Sequence, residues 1–177
     1  MDDSKAHLFV IACAHDLAET AGMSKPRLAI REATRDDLPS LIRLYADDDL
    51  GQTREASAVD ETYEAAFSAI EKDANHILAV GEIDGEILGT LLLSFLPGLS
   101  RHGAWRGQIE SMRIARHQRG KGLGRQMLDW AIAEARQRGC DLVQLTSDKS
   151  RPDAHRFYQV AGFTPSHVGF KMFLERS

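Results

Sequence analysis

The sequence predicts a mixed α/β fold, of the α+β kind, in which helices flank one central and mostly antiparallel sheet. Two patterns predict it. Short apolar runs typical of strands occur between segments whose apolar residues recur every three to four positions, as on amphipathic helices. The length of 177 residues and an apolar content of 43% suit a single domain with a buried core.

We divide the chain into an N-terminal extension, residues 1–25, and one domain, residues 26–177. The extension is expected to form one helix or to reflect a mis-assigned start, because Met23 stands just before the domain-like patterning begins. Its apolar stretch, Leu8–Ala14, is short and follows acidic residues, whereas a secretory signal begins with basic ones.

Charge and cysteine content argue against several classes of protein. The net charge of −4 disfavours a nucleic-acid partner, which usually selects a basic excess. No apolar run approaches the roughly 20 residues that span a bilayer, so no membrane partner is expected. Cys13 and Cys140 form no CxxC pair, which favours a reducing, cytoplasmic location. The 7 histidines show no HxxxH or HExxH spacing, so no metal site is expected.

The domain is predicted to begin with a strand and two helices. Arg27–Glu32 has the composition of a strand. Thr34 and Asp37 then have the spacing of a weak capping box, which predicts a helix start. The apolar positions of the two helices recur at i, i+3, i+4 and i+7: Leu38, Leu41, Ile42 and Tyr45, then Tyr63, Ala66, Phe67 and Ile70.

Three strands are predicted to follow. His76–Ile83 and Glu86–Phe95 are apolar runs separated by Asp84-Gly85, a strong signal for a two-residue hairpin turn. Leu96–Gly107 is rich in glycine and is expected to be a loop. Gln108–Ile114 is then the fourth strand.

The second half of the domain is predicted to alternate helices and strands. The first helix has a buried stripe of Leu123, Met127, Leu128, Ala131, Ile132 and Ala135. Gly139 suits its C-terminal cap, and Cys140–Thr146 follows as a strand. Pro152 suits the start of a further helix that ends at Gly162. Ser166–Leu174 alternates apolar and other residues, which predicts a closing strand.

The strongest functional signal is a glycine-rich run between the fourth strand and the long helix. Glycines let the backbone turn sharply and approach a ligand closely, and the N-terminus of a helix favours phosphate. Basic side chains within the run add positive charge, although a tight turn that only packs the helix on the sheet has the same glycines. The candidate ligand-binding residues are Arg119, Gly120, Lys121, Gly122, Leu123, Gly124 and Arg125.

Spacing separates this run from two familiar phosphate-binding motifs. The P-loop requires GxxxxGK[ST], and no glycine upstream of Lys121 fits it. The dinucleotide-binding fingerprint requires GxGxxG in a parallel unit, whereas this run is GxGxG and its strand follows a hairpin. A nucleotide-binding protein that uses the same turn is still a competing hypothesis.

Two separated motifs resemble those of the GNAT acetyltransferase superfamily. Arg119-x-x-Gly122-x-Gly124, after the strand Ile109–Ile114, looks like the acyl-CoA motif of that family. Phe157–Phe163, with the sequence FYQVAGF, looks like its downstream FYxxxGF segment. The resemblance covers residues 27–174, and the predicted order of elements matches the family fold.

The resemblance implies that the strand before the glycine turn splays from its neighbour and that pantetheine of acetyl-CoA, the co-substrate, enters the gap. Main-chain groups of Met112 and Ile114 would bind the pantetheine. Glu110 would be the catalytic base that deprotonates an amine, and Tyr158 the acid that protonates the departing thiolate. A solvated or salt-bridged strand carboxylate and a core aromatic are the alternative interpretations of these two residues.

One position departs from the family pattern. Many relatives carry Asn three residues before the alanine of the last helix, where it contacts the cofactor, and this chain has Arg151 there. Arg151 or Lys149 is the candidate replacement. His102 and Trp105 are weaker candidates for lining an acceptor pocket.

The predicted function is transfer of an acetyl or other acyl group from CoA to a primary amine by direct attack in a ternary complex. The acceptor is a small molecule or a peptide amine, and a homodimer is plausible from the resemblance. The acceptor is expected to contact the Asp47–Ala58 and Leu96–Gly107 loops. The competing hypothesis is a non-catalytic module that senses acyl-CoA.

Overall fold

A computed structural model describes residues 26–47 and 58–174 of the chain. The predicted N-terminal extension, residues 1–25, lies outside the described residues. Most of the expected loop between Asp47 and Ala58 lies outside them as well. Both predictions therefore remain predictions.

The described residues contain one sheet, with helices between or against its strands. The strands are β1 (Ala29–Glu32), β2 (His76–Ile83), β3 (Glu86–Leu96), β4 (Arg106–Ile114) and β5 (Leu142–Leu145). The helices are α1 (Leu38–Ala46), α2 (Glu61–Lys72), the short turn α3 (Ser100–Gly103), α4 (Leu123–Gln137) and α5 (Pro152–Val160). Two 3₁₀ turns, Arg35–Asp37 and Arg116–Gln118, precede α1 and α4.

The sheet follows the order of the chain from β1 to β5. Its first three pairs are antiparallel, and β4 pairs with β5 in parallel. A parallel pair requires a crossover connection, which α4 supplies. The predicted mixed and mostly antiparallel sheet is therefore confirmed, and the glycine-rich run that precedes α4 lies at the end of β4.

The hairpin between β2 and β3 forms as its sequence predicts. Asp84 and Gly85 connect the strands with φ angles of 51° and 80°. Positive φ at both central positions is the property of a type I′ turn, whose twist matches that of the flanking strands. The turn fixes the register between β2 and β3.

The main core lies between the sheet and α4. Leu123, Met127, Leu128, Ala131 and Ala135 form the buried face of α4. All of them except Ala135 belong to one hydrophobic cluster with the inner residues of β3, among them the fully buried Leu91 and Leu93. Of the predicted stripe, Ile132 is only partly buried. Gly139, with a φ of 72°, ends the helix as predicted.

The opposite face of the sheet is covered by α1 and α2. A second cluster joins Leu38 and Leu41 of α1, Phe67 of α2 and Val80 of β2. The predicted capping box is present, because Thr34 N donates to Asp37 Oδ2 at 2.7 Å in the turn that precedes α1. The sheet is thus enclosed between two layers of helix.

The predicted closing strand, Ser166–Leu174, is wrong for the chain as described. None of its residues lies in a strand, and its apolar side chains are exposed. Alternating apolar residues show that a segment could bury one face as a strand. A strand also needs a neighbouring strand to accept and donate its backbone hydrogen bonds. In this chain no described strand pairs with the segment.

Candidate active site

β4 is paired on both sides over only part of its length. Arg106–Ile109 lies between β3 and β5, and the pairing with β5 ends where Ile109 meets Leu145. The rest of the strand, Glu110–Ile114, keeps β3 as its partner and has no described strand on its other edge. We call Glu110–Ile114 the splayed half of β4. Its position agrees with the splay that the family resemblance implied.

A β-bulge lies within the splayed half. Thr90 pairs with Arg113 and Leu92 with Glu110, so Ser111 and Met112 together oppose Leu91. Ser111 has a φ of 51°, a left-handed conformation that is uncommon for any residue except glycine. Bulges that re-aim side chains are frequent beside active sites, and local backbone strain is concentrated there too.

The bulge places Glu110 and Arg113 on one face of the sheet. A Cβ on Gly124 would lie 3.7 Å from side-chain atoms of both Met112 and Ile114, so these two residues face α4. Arg113 lies between them and points to the other face. Ile109 is buried on the α4 side, so Glu110 also points away from it. Without the inserted residue, positions three apart would face opposite ways.

The glycine-rich turn leaves room for a ligand. Gly120 and Gly122 have φ angles of 78° and 84°, and no atom lies within 4 Å of a Cβ placed on either one. Gly122 is the N-cap of α4 and supplies no side chain to the first amide groups of the helix. The amides at the start of a 15-residue helix carry partial positive charge. This arrangement fits the pyrophosphate of a CoA molecule.

The basic residues of the turn hold its shape as well as adding charge. Arg119 Nε donates to the carbonyl of Ile114 at 3.1 Å. Lys121 Nζ donates to Gln118 Oε1 at 2.8 Å, and Arg125 pairs with Asp129 at 2.8 Å. Arg119 therefore ties the turn to the end of the splayed half. Lys121 and Arg125 lie exposed at the surface around it.

The two main-chain positions expected to bind pantetheine have side-chain donors on their carbonyls. Arg113 Nη1 donates to the carbonyl of Met112 at 2.9 Å, and Arg119 occupies that of Ile114. A carbonyl oxygen has two lone pairs, so each can accept a second hydrogen bond. A ligand that pairs with them therefore shares each oxygen with a guanidinium.

Tyr158 lies against the splayed half. Its hydroxyl donates to Met112 Sδ at 3.8 Å, and its ring contacts Phe157 and Phe163 edge-on. Burial raises the pKa of the Tyr158 phenol, while Arg151 and Arg113 oppose that shift. The phenol is therefore protonated at neutral pH and has a proton to donate.

Glu110, Met112 and Tyr158 line one cleft between the diverging ends of β4 and β5. Sequence reasoning singled out all three, and the structure brings them together. The glycine-rich turn lies outside this cleft, at the far end of the splayed half. Further residues that line the cleft are Ile109, Ser111, Arg113, Leu145, Thr146, Ser147 and Arg151.

Sequence reasoning missed Arg113, Thr146 and Ser147. Arg113 is recognisable as a cleft residue only when the bulge is known, since ordinary alternation puts it on the face opposite Glu110. The position of the family asparagine, Arg151, does line the cleft. Lys149, His102 and Trp105 are not among the lining residues.

Cys140 behaves as a packing residue. It lies against the main core, and burial raises the pKa of its thiol, which is therefore protonated at neutral pH. Within residues 26–47 and 58–174, no group of three His, Cys, Asp or Glu residues is arranged to hold a metal ion. No helix in these ranges is both long and apolar enough to cross a membrane.

The family model for the Acetyltransferase (GNAT) family matches residues 32–163. The chain belongs to this family. The matched range contains the splayed half of β4, the glycine-rich turn and Tyr158. The protein is accordingly a GNAT enzyme that acetylates amino groups, and its family uses acetyl-CoA as co-substrate.

Relatives of this GNAT enzyme extend over most of its length. It is 31% identical to an aminoalkylphosphonate N-acetyltransferase of Salmonella typhimurium over 82% of this chain and 90% of that protein. It is 29% identical to an L-methionine sulfoximine/L-methionine sulfone acetyltransferase of Pseudomonas paraeruginosa, over 76% of this chain and 79% of that protein. A crystal structure described as a transcriptional regulator from Bacillus halodurans C-125 superposes with a TM-score of 0.81. That match has 46% identity and covers 83% of this chain and 99% of the other.

Proposed function

We propose that this GNAT enzyme transfers the acetyl group of acetyl-CoA directly to the primary amine of a small molecule, with both substrates bound together. The observation that carries the proposal is the shared cleft. A carboxylate on Glu110 and a protonated phenol on Tyr158 line the same space, which is the pair of groups that direct acyl transfer to an amine requires.

The cofactor is proposed to run from the glycine-rich turn along the splayed half of β4. Amides at Gly120, Gly122, Leu123 and Gly124 bind the pyrophosphate, and nearby cations neutralise its charge. Main-chain groups of Met112 and Ile114 bind the pantetheine. The cationic side chains are those of Arg119, Lys121 and Arg125.

Glu110 and Tyr158 have complementary roles in the proposed reaction. Glu110 accepts a proton from the ammonium form of the acceptor, directly or through a water, because only the free amine has a lone pair. The amine nitrogen forms a bond to the thioester carbonyl carbon, and the carbon–sulfur bond breaks. Tyr158 donates its proton to the departing sulfur, so the products are the acetamide and free CoA.

A small-molecule acceptor is proposed in preference to a peptide amine. The two named relatives of known substrate act on an aminoalkylphosphonate and on methionine sulfoximine or sulfone. Both are compact molecules with an amine. The cleft of this chain is bordered by β4, the loop after β5 and α5, and its lining gives a small molecule polar contacts on several sides.

The test of the catalytic roles is CoA release from acetyl-CoA with a panel of small amines. Glu110→Gln is expected to lower kcat at least about a hundredfold, the usual effect of a positioned base. The matched control is Glu61→Gln, which removes an exposed carboxylate at the start of α2 and leaves kcat unchanged. Normal turnover by Glu110→Gln would exclude it as the base. Acetyl-CoA binding without turnover of any amine would favour a sensor.

The test of the cofactor site is calorimetry with CoA. Gly122→Ala and Gly139→Ala place the same strain on residues with φ of 84° and 72°, at opposite ends of α4. Both should lose about 1 kcal/mol of stability. Only Gly122→Ala is expected to weaken CoA binding, by about tenfold. Equal CoA affinities in the two variants would contradict the proposed pyrophosphate site, and tighter binding of ATP than of CoA would favour a nucleotide.

A further inference from the structure

The cleft that holds Glu110 and Tyr158 carries more positive than negative charge. Among the described residues that line it, the charged ones are Glu110, Arg113 and Arg151. A simple amine arrives as a cation and is repelled by two guanidinium groups close to the reacting atoms. An acceptor that also carries an acidic group turns the same two charges into an attraction.

Both arginines are held in place by the fold. Arg113 lies on the face of β4 that also presents Glu110, and its Nη1 is anchored on the Met112 carbonyl. Arg151 is the N-cap of α5, where its amide donates to the Asp148 carbonyl at 3.1 Å. Its own carbonyl accepts from the amide of His155 at 3.1 Å. One arginine therefore stands on each wall of the cleft.

A buried hydroxyl adds a third polar group. Ser147 lines the cleft, and its Oγ is buried without a hydrogen-bond partner among the described residues. Buried polar atoms are nearly always satisfied, so an unsatisfied one at a cleft indicates a place for a ligand or a water. Two guanidiniums and a hydroxyl suit the oxygens of a carboxylate, phosphonate or sulfonate.

We infer that the acceptor is a small zwitterion whose acidic group is bound by Arg113, Arg151 and Ser147 while its amine faces Glu110. The inference rests on the proposed function, and it narrows the acceptor from amines in general to amino acids and their phosphonate or sulfonate analogues. Arg113 and Arg151 are then specificity-determining residues for the acceptor.

The test compares three amines of similar length: 2-aminoethylphosphonate, β-alanine and propylamine. At least one acid-bearing amine is expected to exceed propylamine in kcat/KM by about tenfold or more. Arg113→Met and Arg151→Met should each lower that value about ten- to a hundredfold, as loss of a charge-assisted hydrogen bond does. The readout for both variants is the ratio of kcat/KM for the acid-bearing amine to kcat/KM for propylamine, which should fall about tenfold or more, because a lost cofactor contact lowers both values alike. Arg136→Met, an exposed position in the last turn of α4, is the control.

Calorimetry with 2-aminoethylphosphonate and β-alanine in the presence of CoA separates this inference from the proposed function. Binding that depends on Arg113 without turnover of any amine would support the anion site and overturn the catalysis. Turnover with propylamine equal to both acid-bearing amines would overturn the anion site alone. The anion site would also be overturned if the arginine variants lost kcat/KM equally for all three amines. It would be overturned as well if neither acid-bearing amine bound and no amine was turned over.

Discussion

The two halves of β4 show how one strand serves both the core and the site. Arg106–Ile109 is paired on both sides and packs on α4, as shown by Gly107, where an added Cβ would approach Ala135 Cβ to 3.0 Å. Glu110–Ile114 is paired on one side, is interrupted by a bulge and faces a cleft. Four well-ordered pairs therefore precede the point at which the backbone becomes irregular.

The difference between the halves is a difference in what restrains them. In the first half, ladder hydrogen bonds and tight packing leave no freedom for a ligand. In the second half, an open edge exposes main-chain groups, and the bulge directs Glu110 and Arg113 to the same side. Substitutions in the first half should therefore change mainly stability, and those in or against the second half mainly activity.

The largest effect is expected from Ile109→Ala in the first half. Ile109 is 3% exposed within the main core, and truncating such a side chain costs about 2–5 kcal/mol of unfolding free energy. Urea denaturation measures this loss. A variant of normal stability with a large loss of kcat would remove the distinction between the halves.

Tyr158→Phe, which changes a side chain against the second half, should affect turnover more than stability. Loss of the donor is expected to lower kcat about a hundredfold with little change in CoA affinity. Because burial raises the pKa above the ordinary 10.0, the wild type should keep its proton and its activity up to about that pH.

The pH dependence distinguishes an acid from a packing aromatic. The stability contributed by the neutral phenol is fully present below pH 10.0, the ordinary pKa, and is lost as pH rises through the raised value. The wild type should therefore lose both activity and stability at strongly alkaline pH. The Tyr158→Phe variant should lack this alkaline loss in both its activity and its stability. If activity and stability fell at the same alkaline pH in the wild type and in Tyr158→Phe, the titrating group would be one other than Tyr158.

The smallest effect is expected from Ser111→Gly at the bulge. Glycine adopts the φ of 51° without strain, and its greater entropy in the unfolded state offsets part of that gain, so stability should rise by about 0.5 kcal/mol. The looser bulge should lower kcat about threefold. Gln108→Gly is the matched substitution in the first half, where φ is extended, and should instead cost about 1 kcal/mol. A loss of stability at Ser111 would show that the bulge is unstrained.

Features that depend on local signals were predictable from the sequence. Asp84-Gly85 specifies a turn that needs positive φ at both positions, and the buried stripe of α4 follows from its periodicity. The glycine-rich turn and Tyr158 were found because their motifs are local as well. The places of Glu110 and Tyr158 in one cleft followed from the resemblance, because nothing in their spacing of 48 positions implies contact.

Features that depend on pairing between distant segments were not predictable. No residue type signals the bulge, since Ser111 is not one of the residues that prefer positive φ. Unless the bulge is known, the ordinary alternation of a strand does not predict that Glu110 and Arg113 lie on the same face. The segment 166–174 shows the same limit, because alternation indicates that a strand can form and carries no information about which edge it joins.

Asp47 connects two parts of the enzyme that lie far apart in the sequence. It is the last described residue after α1, and its Oδ2 accepts from the amide of Arg116 at 2.7 Å, while its carbonyl accepts from Arg119 Nη2 at 3.4 Å. The C-terminal end of α1 is therefore fastened to the residues that lead into the glycine-rich turn. Asp47 acts as a staple between the helix layer on one face of the sheet and the connection from β4 to α4.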